Sequence, residues 1–452
     1  MPDVTDLLFN TPRMAAAFSP EAHVRGMLAF ESALAQVEAR VGIIPQHAAD
    51  AITGNCRVEL FDVAALYREA ALAGTPAIPL VRMLSAQIEG EAKKFVHWGA
   101  TSQDAIDTAL MLQMRDGLEL LIAEMNGVCA ACARLAEQHR HTLMVGRTLL
   151  QQAVPITFGL KAARWLALTV RQLHALHEHL KQTLVVQLGG AAGTLAALGD
   201  NGLHVVELLA AELGLGVPEL PWHTERDRLA QIASTLSVVA GAVAKIADDI
   251  VLLAQTEIGE VAEGAMPGKG GSSAMPQKHN PVDAVFALAS ARQALGVGPV
   301  IVASMVQEHE RAAGGWQAEW AAIPHLFGFT ASAVEHVHRC VRNLQVNPER
   351  MSANLNLAGG LVMAESLTMA LALRMEKAEA QHIVQAACER AASSGTPLRQ
   401  VMLTEEQVLA ILSIQEIDHA LDPSAYVGST DIFIDRALAA YREVQLVRGD
   451  KL

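Results

Sequence analysis

Apolar residues recur at three- and four-residue steps from Leu229 through Ile232, Leu236, Val239, Val243, Ile246 and Ile250 to Leu253. That is the period of an α-helix. Val238, Ala242 and Val251 place apolar side chains on the other faces as well, and a helix apolar nearly all round is one buried on all sides. The pattern therefore predicts a central helix of a large bundle. Similar long helices are expected over residues 104–139, 155–186 and 281–310. Near the start, Ser19-Pro20-Glu21 combines an N-cap, a first-turn proline and an acidic first turn. It opens a helix that Gly42 and Pro45 stop. Alternating β-branched runs bounded by turns, the mark of strands, are nearly absent. The chain reads as all-α, in three helical domains: an N-terminal domain over 1–105, a central long-helix bundle over 106–347 with a loop at 264–281, and a C-terminal domain over 348–452. The boundaries are suggested by Gly99-Ala100-Thr101-Ser102 and Asn347-Pro348.

Composition sharpens this picture. Of the 452 residues, 51% are hydrophobic and only 18% charged, against about 25% charged in an average globular domain. Disorder is excluded. The surplus apolar surface must enter a membrane, a large core or other subunits. The charge-free stretches 182–199, 229–244 and 293–307 offer no clean span, since a crossing helix needs about 20 apolar residues in a row. The first is broken by Gly189, Gly190, Gly193 and Gly199. Asp3 and Asp6 are unlike the start of a signal peptide, so a cytoplasmic protein with no membrane partner is expected. The net charge of −14 argues against a nucleic-acid partner. Five scattered cysteines do not suggest a disulfide framework. Cys129 and Cys132 lie in the run VCAACARLAE and read as small core residues. No metal or organic cofactor is implied, because no ligand spacing or dinucleotide fingerprint occurs.

The chemistry concentrates where the helical pattern breaks. Between Met266 and Pro281, three glycines and three prolines interrupt it, and Ser272, Ser273, Lys278, His279 and Asn280 crowd together. Loops held between rigid elements are where binding and catalytic groups sit. Consecutive Gly and Ser residues present backbone N–H groups to an anion, and Lys278 adds a full positive charge.

The run GSSAMPQKHNP over 271–281 resembles the signature of the fumarase/aspartase superfamily at every fixed position. HWGATSQD over 97–104 and GRTLLQQAVPITFG over 146–159 resemble its first and second conserved regions, in the same order. WHTERDR over 222–228 and LDPSAYVG over 421–428 resemble its adenylosuccinate-lyase branch. The resemblance implies a homotetramer with a 20-helix core, whose sites each draw the three regions from three different subunits. It implies a small polycarboxylate substrate. The reaction is addition or elimination across a carbon–carbon bond beside a carboxylate, through an aci-carboxylate. Carried over by position, Ser272 is the catalytic serine, and Lys278 and Asn280 hold the carboxylate that gathers charge. Thr101, Ser102 and Gln151 bind substrate. His97, Arg147, Ser273, Met275 and His279 are further candidates for that role, Arg147 being equally able to pair with a structural carboxylate.

The departures are informative. Most members carry a histidine and a glutamate where this chain has Leu149 and Val285. Paired loss of that acid–base couple suits a leaving group that needs no proton. The lactonising branch of the superfamily has such a group, a carboxylate of the substrate itself. The glycine-rich run QLGGAAG over 187–193 also resembles that branch. A purine lyase and a non-catalytic scaffold protein are the competing readings. His141, His309 and Arg311 have no place assigned by sequence.

Overall fold

A computed structural model describes residues 8–264 and 268–449. Four long helices dominate: α2 (Ser102–Gln138), α3 (Phe158–Gln182) and α4 (Asp227–Leu253), as the periodicity predicts, and α6 (Gly315–Arg342), which it did not single out. With them run α1 (Pro20–Arg40) and α5 (Val282–Ala303). The expected start of α1 is realised in detail: Ser19 Oγ accepts from the Ala22 amide at 3.1 Å, with Pro20 in the first turn. Shorter helices fill the C-terminal part, among them α7 (Pro348–Asn356) and α8 (Lys377–Ser394).

Two small sheets were not expected. β1 (Leu143–Thr148) and β2 (Gln151–Thr157) form an antiparallel hairpin, and β3 (Val261–Glu263) pairs with β4 (Leu344–Val346). The second conserved-region segment, where the helical reading began at residue 155, is thus a hairpin, and α3 begins only at Phe158. Its turn residues are Leu149 and Leu150, both at positive φ (50° and 63°). A two-residue hairpin turn needs that backbone but normally uses Asn-Gly, so the sequence carries no turn signal there.

Residue contacts divide the chain into two units, each assembled from three stretches. The first takes Met1–Met125, Gln172–Ala244 and Phe286–His336; the second takes Asn126–Arg171, Lys245–Val285 and Val337–Leu452. This is a division by contact, whereas the three sequence domains are divisions by chain order.

In the first unit, Val24, Met27 and Leu34 of α1 pack with Leu66, Leu80, Leu84, Ala105 and Ala109 in one apolar core. Gly26 lets α1 approach α2 closely: a Cβ there would lie 2.9 Å from Ala109 Cβ. Arg226, fully buried ahead of α4, forks onto Asp107 of α2 and Glu319 of α6. Trp316 Nε1 donates to the same Asp107. Removing one partner of such a buried cluster typically costs about 3–5 kcal/mol, so this cluster cross-links the helix ends beside Asp104.

In the second unit, Leu367, Leu371, Val384, Leu398, Met402, Val408 and Ile417 form a separate core of short helices. Cys129 and Cys132 are buried free thiols, as small core residues would be.

By length and composition α5 could cross a membrane, and a third of its apolar window is buried within the chain. Its Ala287, Ala291, Ala294 and Ile301 are buried, while Leu295, Val300 and Val302 stand about 45% exposed. One face of this helix is packed within the chain and the other is bare.

Candidate active site

The first segment is organised by Asp104. Its carboxylate is fully buried and accepts from the Thr101 amide at 2.9 Å, closing the turn that starts α2. It also accepts from the Gly189 and Gly190 amides, both at 3.0 Å, and from Gln187 Nε2 at 3.2 Å, and it meets His223 Nε2 at 2.7 Å. Runs that stood far apart in the sequence, 97–104, 187–193 and 222–228, are gathered here around one carboxylate. Thr101 Oγ1 in turn accepts from Arg311 Nη1 at 2.9 Å, and Arg311 Nη2 donates to the Ala191 carbonyl at 3.0 Å. A guanidinium therefore sits against the hydroxyl assigned to a substrate carboxylate. The sequence assigned Arg311 no place, since it lies 210 residues from Thr101.

His97 holds a left-handed backbone (φ 61°), and its Nδ1 lies 2.6 Å from Glu31 Oε1. Burial lowers its pKa, but the charge of Glu31, the hydrogen bond to it and the charge of Asp104 outweigh burial and raise it. Bulky residues with positive φ carry strain that the surrounding structure has to sustain. His309 (φ 48°), two residues from Arg311, and the Leu149-Leu150 pair share this property.

The second segment presents its hairpin tip to solvent: Leu149 is 96% exposed and Leu150 74%. Gln151, also exposed, starts β2. Arg147 is committed inside the chain. Its Nη1 and Nη2 donate to the two oxygens of fully buried Glu260 at 2.9 and 2.7 Å. Asn354 Nδ2 donates to the same carboxylate at 2.9 Å. Of the two roles open to Arg147 in the sequence, the geometry displays the structural pairing.

The third segment spans 264–281, of which residues 265–267 lie outside the described residues. Ser272 Oγ accepts from the Met275 amide at 3.1 Å and the Ala274 amide at 3.4 Å. Two N–H groups aimed at one oxygen favour its charged form. Asn280 donates from its amide to the Gly270 carbonyl at 2.9 Å, and from Nδ2 at 3.3 Å. Ser273, Met275, Lys278 and His279 are exposed along the same loop. Val285 follows in the first turn of α5, 49% exposed.

Thr101, Ser102, His97 and Arg311 thus belong to the first unit, and Arg147, Gln151 and the Ser272 loop to the second. Among the described residues no group of His, Cys, Asp and Glu is arranged to hold a metal ion.

Comparison with known proteins follows this geometry. Residues 8–296 match the family described as lyase, and residues 360–437 match the adenylosuccinate lyase C-terminus. A 3-carboxy-cis,cis-muconate cycloisomerase of Pseudomonas aeruginosa is 45% identical, the match covering 96% of each chain. One of Bradyrhizobium diazoefficiens is also 45% identical, over 95% of this chain and 96% of its own. Among solved structures, the 3-carboxy-cis,cis-muconate lactonizing enzyme from Pseudomonas putida superposes with a TM-score of 0.92 at 41% identity, covering 98% of this chain and 99% of that one.

Proposed function

We propose, from the premise that the chain belongs to the lyase family, that it is an enzyme converting 3-carboxy-cis,cis-muconate to a carboxymuconolactone, a step of protocatechuate breakdown. The observation that carries this reading is the near-full-length likeness to bacterial cycloisomerases. Leu149 and Val285, where an acid–base pair would otherwise stand, support it chemically.

Acid and lactone are isomers, and counted on the anions one proton is taken up from solvent as a carboxylate becomes the ring ester. A carboxylate oxygen of the substrate adds to the double bond beside another carboxylate, forming the ring C–O bond. The tethered nucleophile needs no separate binding step and gains the advantage of proximity. The electron pair of the C=C bond moves into the second carboxylate as an aci-carboxylate, and a proton then reaches the alpha carbon. In reverse the leaving group is a carboxylate, with a conjugate-acid pKa of about 4, so it departs unprotonated. An acid at position 149 is unnecessary.

Each residue then takes a role. Ser272 delivers the proton from Oγ, and the Ala274 and Met275 amides hold the alkoxide left behind until solvent returns its proton. Lys278 and Asn280 stabilise the aci-carboxylate. Thr101, backed by Arg311, holds a carboxylate with Ser102 and Gln151. Ser273, Met275 and His279 border the substrate from the same loop, and His97 from beside the first segment. The protein works as a cytoplasmic homotetramer. The exposed apolar face of α5 at Leu295, Val300 and Val302, and the bare Leu149-Leu150 tip, support burial against other copies of the chain. Each site then draws its three segments from three subunits.

Loss of the diene absorbance of 3-carboxymuconate on adding the protein, beside a parallel incubation with adenylosuccinate, tests the proposal. Turnover of the first alone is expected; release of AMP and fumarate from the second would overturn it.

A further inference from the structure

The loop that carries Ser272 is anchored by a residue outside its signature. Lys269 Nζ lies 2.9 Å from Glu263 Oε2 and pairs also with Asp283. Glu263 ends β3, before the loop, and Asp283 stands in the first turn of α5, after it. The two carboxylates are each only 5% exposed and Lys269 16%. Glu263 is itself fixed to α5: its carboxylate accepts from the Asp283 amide at 3.2 Å and the Ala284 amide at 2.8 Å, capping the helix. Asp283 is held from its other side by Arg339 Nη2 at 3.1 Å. Burial works against the Lys269 charge, but its hydrogen bonds and charge attraction to Asp283 and Glu263 raise its pKa, so the ammonium persists.

The next residue completes the closure. Gly270 accepts both Asn280 bonds at a backbone φ of 75°, and a Cβ there would meet the Asn280 carbonyl oxygen at 2.9 Å. Residues 269–270 are thereby tied to 280–283, and 271–279 form a short span between two fixed ends. Ser272 lies three residues from Lys269, and Asn280 is itself part of the tie. A shift of this base moves both residues. Removing the ammonium would also leave two buried carboxylates facing each other across the base, and like charges in a poorly solvated place repel strongly.

We propose that Lys269 is a positioning residue, a clasp that closes the base of the signature loop and sets where Ser272 and Asn280 stand. Its kinetic consequence rests on the function proposed above; its structural consequence does not.

Hydrogen exchange on the full-length protein and steady-state kinetics separate the two. In Lys269→Met, amides of 271–280 should exchange about tenfold faster or more, with the cores of both units unchanged, because opening is local. The kcat for 3-carboxymuconate should fall about tenfold or more with KM held within about twofold, as for a loss confined to the chemical step. Lys269→Arg should restore most of both. Lys269→Gln serves the same comparison if the methionine variant does not fold. Unchanged loop exchange, or a KM rise with kcat intact, would overturn the clasp. So would faster exchange throughout the protein, which marks general destabilisation. A wild-type protein inactive on 3-carboxymuconate would sink the functional reading while leaving the exchange comparison decisive for Lys269.

Discussion

Arg311 illustrates how a site residue can be invisible in one dimension and plain in three. Its guanidinium donates to Thr101 Oγ1 and to the Ala191 carbonyl, which orients the hydroxyl and brings positive charge to the place expected to receive a carboxylate. Arg311→Met should therefore weaken substrate binding more than chemistry. KM should rise about 10- to 100-fold, the equivalent of the roughly 1.5–3 kcal/mol in a charge-assisted hydrogen bond, while kcat changes little. An unchanged KM would remove Arg311 from the site. Glu38 poses a different question. It is fully buried in α1, and neither of its oxygens has a hydrogen-bond partner among the described residues. Burial, then the charge of Glu31, pushes its pKa up to about 9. The folded chain keeps a proton that the unfolded chain releases near its usual 4.5. Stability is thus full below that value and is lost as pH rises toward 9. Glu38→Gln should flatten the fall of Tm between pH 6 and about 9, and thermal scans across that range check it. An equally steep fall in the variant would show that another group carries the dependence.

Among the elements, the β1–β2 hairpin departs furthest from what its local sequence favours. Two leucines occupy left-handed positions at its tip, both largely exposed. Each such non-glycine residue costs about 1–2 kcal/mol, and the preferred Asn-Gly would relieve that cost. Replacing Leu149-Leu150 by Asn-Gly should raise Tm and, if the proposed shared sites use the apolar tip, lower turnover. A gain in both would show the leucines to be dispensable. The same residues explain why the hairpin was not legible: its turn chemistry is absent, and its strands run into α3 without a break in polarity. The long helices were legible because they are long. The spacing from Leu229 to Leu253 matches α4 (Asp227–Leu253) closely, and the Ser19 cap is where its residue type demands. Of the candidate site, Ser272, Lys278 and Asn280 could be proposed from sequence because they share one short loop. Asp104, Arg311 and Lys269 act through contacts that only folding creates.

For the molecule as a whole, high hydrophobicity and low charge show as bare apolar surface on the single chain. α5 leaves Leu295, Val300 and Val302 exposed, and Val238 of α4, expected to be buried, is 56% exposed in the single chain. Those positions are covered if α4 and α5 meet other copies, as the proposed homotetramer requires. Sharing of sites makes a direct prediction. Ser272→Ala chains and Thr101→Ala chains, each nearly inactive alone, should regain part of the wild-type turnover when refolded together. No recovery in mixtures shown to be tetrameric would contradict sites built from different subunits. The central claim is that one proton is delivered to carbon as a substrate carboxylate closes the ring. Turnover of 3-carboxymuconate in D2O, followed by NMR, tests it most directly. The account predicts a single lactone with one deuterium on the carbon alpha to a carboxylate and no second product. A lactone free of deuterium, or fumarate among the products, would contradict it.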